Sequence, residues 1–249
     1  MNPELNEEST GKVKVSNLPA KELPIKPLTM AELRESEEKR EARINAEFKN
    51  GFEFLESYEK SVTFFGSARL SPQSEYYLKA QHLAYRIADE LGYAVFTGGG
   101  PGIMEAANRG AFEAGGQSLG MTIRLPHEQV TNPYLTAHED FYYFFSRKVM
   151  MTFSAEAYIY FPGGFGTLDE FFEILTLVQT NKIEKVPLIL VGEKYWKGLE
   201  QFMMDELLSR KTIDREDLNL FTITEDEDEI IRLIKNTRVR NGVKYHYEN

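Results

Sequence analysis

Cysteine is absent from the 249 residues, which excludes disulfides, thiolate nucleophiles, thiolate zinc sites and cysteine-held iron–sulfur clusters. The absence fits a reducing compartment. An excess of cations is missing too: 29 Lys and Arg stand against 39 Asp and Glu, a formal charge of -10. Affinity for a nucleic-acid backbone draws on clustered Lys and Arg. No basic stripe occurs here, so no nucleic acid is expected as a partner. No apolar run approaches the roughly 18 residues of a membrane-spanning helix, and the opening MNPELNEEST lacks the basic-plus-apolar pattern of a secretion signal. The expectation is a cytoplasmic protein without membrane contact. Four histidines, His82, His127, His138 and His246, show no paired metal-ligand spacing, so no metal is expected. No lysine is marked out as a Schiff-base residue, and no cofactor is expected.

What the chain does have is enough apolar content, 42%, to bury one sizeable core. Residues 1–28 are polar with four scattered prolines and read as a flexible arm. Thr29 with Glu32 makes a capping box, and the stretch through Phe48 is rich in Glu, Lys, Arg and Ala. It predicts a charged, solvated helix, taken as an extension over 29–58. From about Ser61 the texture changes to apolar runs, glycine turns and helical patterns in alternation, the signature of βαβ units on a parallel sheet. Strands are predicted at Val62–Phe65, Tyr93–Thr97, Leu119–Ile123, Phe141–Phe145, Ala157–Phe161, Leu188–Val191 and Phe221–Thr224. A helix capped by Ser71-Pro72 is stopped by Gly92. Tyr142, Tyr143, Phe144 and Phe145 are expected to bury in the sheet. The α/β domain spans 59–235, and residues 236–249 form a tail.

The richest stretch runs from Pro162 to Glu170, PGGFGTLDE, between the apolar Tyr158–Phe161 and an amphipathic segment. It reads as strand, glycine turn, helix. Glycines let backbone N–H groups approach a ligand, and the new helix offers unpaired donors and a positive dipole end, together a phosphate site. Glu170, one turn inside, would face that ligand. A second glycine turn, Gly98-Gly99-Gly100-Pro101-Gly102, follows another strand, and strands on one parallel sheet bring such loops to a common edge. Neither turn is a dinucleotide fingerprint, because Asp169 and Glu105 stand where the third glycine belongs. No G-x-x-x-x-G-K-[ST] occurs, which excludes an ATP-hydrolysing P-loop. Gly116-Gln117-Ser118-Leu119-Gly120 matches the esterase pattern, but Ser118 enters a strand after a helix, the reverse of the required strand-to-helix turn. Spacing alone leaves Arg147-Lys148 equally readable as a surface pair or as cations at the sheet edge.

Taken together, the PGGFGTLDE stretch, Gly98-Gly99-Gly100-Pro101-Gly102-Ile103-Met104-Glu105 and Ser146-Arg147-Lys148 resemble the LOG ("Lonely guy") family, many of whose members carry the label "lysine decarboxylase". The resemblance covers about residues 60–235, and the N-terminal extension is similar to that of the family's longer subgroup. It implies a Rossmann-like parallel sheet with helices on both faces. It also implies hydrolysis of the N-glycosidic bond of a nucleoside 5′-monophosphate, AMP or a cytokinin riboside monophosphate, to free base and ribose 5-phosphate. The implied catalytic pair is Glu170 and Arg147. Gly163, Gly164, Gly166 and Thr167 would surround the phosphate, with Gly66, Ser67, Gly99, Gly100 and Lys148 bordering the substrate. A homodimer or larger homo-oligomer is implied. The alternative is a non-catalytic nucleotide or molybdenum-cofactor binder on the same fold.

Overall fold

The computed structural model describes residues 29–124 and 131–237. The N-terminal arm, most of the tail, His127, His246 and the Glu32 side chain of the expected capping box lie outside them. The chain divides into two compact units between Arg40 and Glu41. Helix α1, Met30–Glu56, crosses that boundary. Its straight-chain residues lose little side-chain freedom on becoming helical. Exposed pairs at helical spacing, Lys39 to Glu35 at 2.5 Å and Lys49 to Glu53 at 3.8 Å, add little, because solvent screens them. The described part of the first unit, residues 29–40, is charged and exposed. From Glu47 onward α1 changes character: Glu47, Gly51 and Leu55 are buried at helical spacing, and Phe48 and Phe52 pack against the core.

The second unit holds a seven-stranded sheet: β1 Ser61–Phe65, β2 Ala94–Thr97, β3 Ser118–Ile123, β4 Ala137–Phe141, β5 Ala157–Tyr160, β6 Leu188–Leu190 and β7 Thr222–Ile223. The order is β4-β3-β2-β1-β5-β6-β7, with every neighbouring pair parallel. Strands covered on both faces read as nearly continuous apolar runs, and β5 and β1, the latter with Ser61 and Thr63 among its apolar residues, are buried throughout. Their alternation feeds two separate layers. Val62, Phe64, Ala157 and Ile159 pack with the helices α2, Glu75–Arg86, α3, Ile103–Glu113, and α7, Glu227–Lys235. Phe65, Tyr158 and Tyr160 pack on the other face with α4, Phe144–Thr152, α5, Phe165–Gln179, and α6, Glu193–Phe202. The sheet is therefore sandwiched by helices, the Rossmann-like arrangement.

Two local expectations are corrected. The fourth strand is Ala137–Phe141 and not Phe141–Phe145, and α4 begins at Phe144. Of that aromatic run only Phe141 reaches the core, while Tyr142, Phe144 and Phe145 are 52%, 57% and 48% exposed. β4 is an edge strand carrying His138, Glu139 and Asp140, and polar side chains on an edge are what keeps it from pairing further. Hydrophobicity pointed to the neighbouring aromatics instead. Helix α2 starts later than Ser71-Pro72: Ser74 is the cap, its hydroxyl accepting from Tyr77 N–H at 3.3 Å. Gly92 does end the helical stretch, in the left-handed conformation at φ 68° that glycine adopts freely.

Candidate active site at the switch in strand order

Successive strands run outward from β1 and β5 in opposite directions, so the loops leaving these two neighbours diverge and open a crevice at the carboxyl edge. Backbone bonds hold its walls. Ser67 N–H donates to Pro162 O at 3.0 Å, and Ile103 N–H donates to Ser67 O at 3.0 Å, drawing in the loop after β2. That junction requires glycine at 102, where φ is +69° and an added Cβ would lie 2.3 Å from Ser67 O. The result is a cavity of about 870 Å3, with Gly66, Gly98 and Gly163, from loops after three different strands, all in its lining.

Helix α5 starts at Phe165 with Gly164 as its N-cap, and no side chain caps it. The first-turn N–H groups of such a helix have no intrahelical acceptor, and its positive dipole end faces outward. An added Cβ on Gly164 or Gly166 would meet nothing within 4 Å, so open space stands over both, and both line the cavity. Gly163 is sterically constrained: a Cβ there would fall 2.1 Å from the buried Thr167 Oγ1. The Tyr195 hydroxyl, from the first turn of α6, donates to Gly163 O at 2.8 Å and anchors the turn.

Arg147 and Glu170 meet under this rim. Arg147 Nε donates to Met121 O at 2.7 Å, and Nη1 lies 3.6 Å from Glu170 Oε1, the side chains being 10% and 17% exposed. Gly98 admits the guanidinium, since a Cβ there would sit 2.3 Å from Arg147 Nη2. Burial pushes the Glu170 carboxyl up from 4.5 to about 7, against the pull of the Arg147 guanidinium and with a further push from Asp169. The pull of the cation toward the ionised form is thus outweighed by desolvation, because a contact of 3.6 Å is looser than a bidentate fork. Burial lowers Arg147 in turn, with Glu170 opposing. Arginine starts so high that it stays charged.

The other residues singled out from the sequence divide. Ser67, Gly163, Gly164, Gly166 and Thr167 line the cavity with Gly66, Arg147 and Glu170. Gly99, Gly100 and Lys148 do not. Gly99 O accepts from Asn132 N–H at 2.9 Å, and Gly100 O from Asn132 Nδ2 at 3.0 Å, fixing the turn from behind. Lys148 Nζ bridges Asp169 Oδ2 at 2.8 Å and Glu173 Oε2 at 3.1 Å, clipping α4 to α5. Ser118 is buried at the start of β3, its hydroxyl donating to Asn108 O at 3.0 Å, a structural position. Sequence reasoning passed over Arg69, Met104 and Tyr195, which also line the cavity. Arg69 is exposed and pairs with no carboxylate among the described residues. Its position two residues after Ser67 in the first glycine turn was the available signal.

A parallel sheet with a crevice at its strand-order switch, lined by an uncapped helix start, defines a Rossmann-like α/β protein. The chain belongs to the family described as possible lysine decarboxylase, the LOG family, whose model matches residues 104–234. It is 28% identical over 152 residues to a cytokinin riboside 5′-monophosphate phosphoribohydrolase of Rhodococcoides fascians, covering 58% of this chain and 74% of that one. It is 26% identical over 196 residues to the cytokinin riboside 5′-monophosphate phosphoribohydrolase LOG5 of Arabidopsis thaliana, covering 77% and 84% respectively. Among solved structures, the molybdenum cofactor binding protein of Rippkaea orientalis shares the fold, with a TM-score of 0.51 and 23% identity over 71% of this chain and 96% of that one.

Proposed function

We propose that this protein hydrolyses the N-glycosidic bond of a nucleoside 5′-monophosphate, AMP or a cytokinin riboside monophosphate, to free base and ribose 5-phosphate. One observation carries the reading: a carboxyl raised to about 7 sits beside a buried arginine in the cavity that the uncapped start of α5 also lines. A perturbed acid in a cleft next to an anion site is a common mark of catalysis on a phosphorylated substrate.

In this account the 5′-phosphate is held by N–H groups of the turn from Gly163 to Thr167 and by the Thr167 hydroxyl. Arg69 adds charge at the mouth. The sugar then lies over Glu170. Breaking the C1′–N bond sends its electron pair to the base and leaves an oxocarbenium-like ribose. Glu170, as a carboxylate, stabilises that charge and takes a proton from the water that bonds to C1′, while the departing base gains a proton from solvent. Arg147 orients Glu170 and offsets its charge. Gly99 and Gly100 act by shaping their loop, and Lys148 by fixing α4 against α5.

Chromatography of free base after incubation with a panel of nucleoside monophosphates and the matching nucleosides tests the reading. Base is expected from monophosphates and far less from nucleosides, since the phosphate supplies the binding energy used at the sugar. Equal rates on both, or no base from any, would contradict it. In the second case nucleotide binding without turnover would favour the non-catalytic carrier, to which the likeness to a molybdenum cofactor binding protein lends fold-level support alone. The exposed Tyr142, Phe144 and Phe145 support self-association into a homodimer or larger assembly, which light scattering checks. A cytoplasmic location remains part of the proposal. Among the described residues no helix is long and apolar enough to cross a membrane.

A further inference from the structure

Glu47 is only 8% exposed, an uncommon setting for a carboxylate. The hydrogen bonds it accepts among the described residues come from one place, the start of α4. Oε1 accepts from Tyr142 N–H at 2.8 Å, and Oε2 from Tyr143 N–H at 3.4 Å and from the Ser146 hydroxyl. Tyr143 is the N-cap residue of α4 and makes no side-chain capping bond of its own. The cap is supplied from a position 96 residues earlier in the chain. A carboxylate there satisfies unpaired donors and meets the positive end of the helix dipole at once. The two helices also touch closely, for a Cβ on Gly51 would come 2.6 Å from Met150 Cγ. The Phe48 and Phe145 ring centroids stand 6.4 Å apart.

The turn that Glu47 caps carries Arg147, whose N–H donates to Tyr143 O at 3.3 Å. Lys148 in the same turn already ties α4 to α5. The Glu47 hydrogen bonds act on the helix start itself, and with it on the path of the Arg147 side chain past Gly98 toward Glu170. We propose that Glu47 is a positioning residue: from α1 it fixes the first turn of α4, so that the Arg147 guanidinium reaches Met121 O and Glu170 in the cavity. The part of the N-terminal extension after Arg40 thereby becomes a component of the site and not a solvated appendage. The kinetic consequence rests on the hydrolase reading above.

The test compares wild type with Glu47→Ala and Glu47→Gln in the full chain. Glu47→Gln retains a carbonyl acceptor for Tyr142 N–H and serves as the conservative rescue. The expected result is a kcat for base release from AMP reduced roughly tenfold to a hundredfold in Glu47→Ala. KM should move little, because the phosphate turn is untouched, and Glu47→Gln should fall between. Nuclear magnetic resonance supplies a readout independent of turnover. Amide exchange at Tyr142 and Tyr143 should accelerate in Glu47→Ala, and the Arg147 Nε–H signal should shift, while amides of α2 and α3 stay protected. Wild-type kcat with unchanged exchange and an unshifted Arg147 signal would overturn the inference and leave the hydrolase reading standing. If wild type itself releases no base, the hydrolase reading falls and the resonance data alone decide: faster exchange with a shifted Arg147 signal supports positioning, and an unchanged pair refutes it. Should Glu47→Ala fail to fold, the same readouts on Glu47→Gln decide, in the same directions.

Discussion

Glu170 costs the fold free energy whenever it is ionised. Its folded value of about 7 lies above the ordinary 4.5, so between these pH values the folded chain holds a proton that the unfolded chain has lost. The stabilisation from that proton is fully present below about pH 4.5 and disappears as pH rises through about 7, a difference of about 3 kcal/mol at roughly 1.4 kcal/mol per tenfold. Replacing Glu170 by Gln should therefore raise Tm at about pH 8 and leave it nearly unchanged at about pH 5. Calorimetry at both values checks this, and an equal gain at both would assign the effect to packing instead. The same titration should appear in catalysis: kcat/KM for base release should climb with pH to a plateau above about 7 if the carboxylate is the working form. A profile falling above that value would make Glu170 the proton donor. The acid and the arginine were both legible as motif positions. Their balance was not, because desolvation depends on how the fold surrounds the pair, and Met121 and Gly98, which meet the Arg147 guanidinium, come from parts of the chain that no local pattern links to Glu170.

At the scale of elements, the site depends on loops packed too tightly for a methyl group. Gly98→Ala would place Cβ 2.3 Å from Arg147 Nη2 and is expected to displace the guanidinium, lowering kcat by roughly tenfold to a hundredfold with a smaller effect on KM. Gly163→Ala collides with Thr167 and should act the other way, weakening nucleotide binding by calorimetry. Identical effects of the two changes on kcat and KM would contradict the division between a reacting end and a phosphate end. Helices and glycine turns were readable because their signals are local: a glycine pair after an apolar run, a left-handed stop at Gly92. β4 was not, since an edge strand gains from polar side chains and so lacks the hydrophobic pattern that marks its neighbours. The buried cap on α4 was invisible for a different reason. Glu47 sits in a stretch whose composition says solvent, and only its packing against α4 reveals that it is covered.

At the largest scale the second unit is two apolar layers on one parallel sheet, and the strand order determines where the layers leave an opening. Phe171 is fully buried and its ring lies 5.3 Å from Tyr160, 5.8 Å from Trp196 and 5.8 Å from Phe221. It follows Glu170 directly, so the core and the site share one turn of helix. Phe171→Ala should cost about 3–5 kcal/mol, followed in denaturant by the fluorescence of Trp196, the chain's single tryptophan; a loss under about 1 kcal/mol would show that this layer is not close-packed. The sheet class was legible because parallel strands buried on both faces read as short apolar runs with glycine ends. The crevice followed from it, as the meeting point of loops whose strands run outward in opposite directions. The base that occupies the cavity follows from neither. The central claim, that this crevice cleaves nucleotides with Glu170 as its working acid, is tested most directly by quantifying adenine and ribose 5-phosphate formed from AMP by wild type and by Glu170→Gln, with AMP binding measured on both. The account predicts equimolar products from wild type, a loss of about 100-fold or more in the variant, and retained AMP binding. Product formation by Glu170→Gln at the wild-type rate would contradict it.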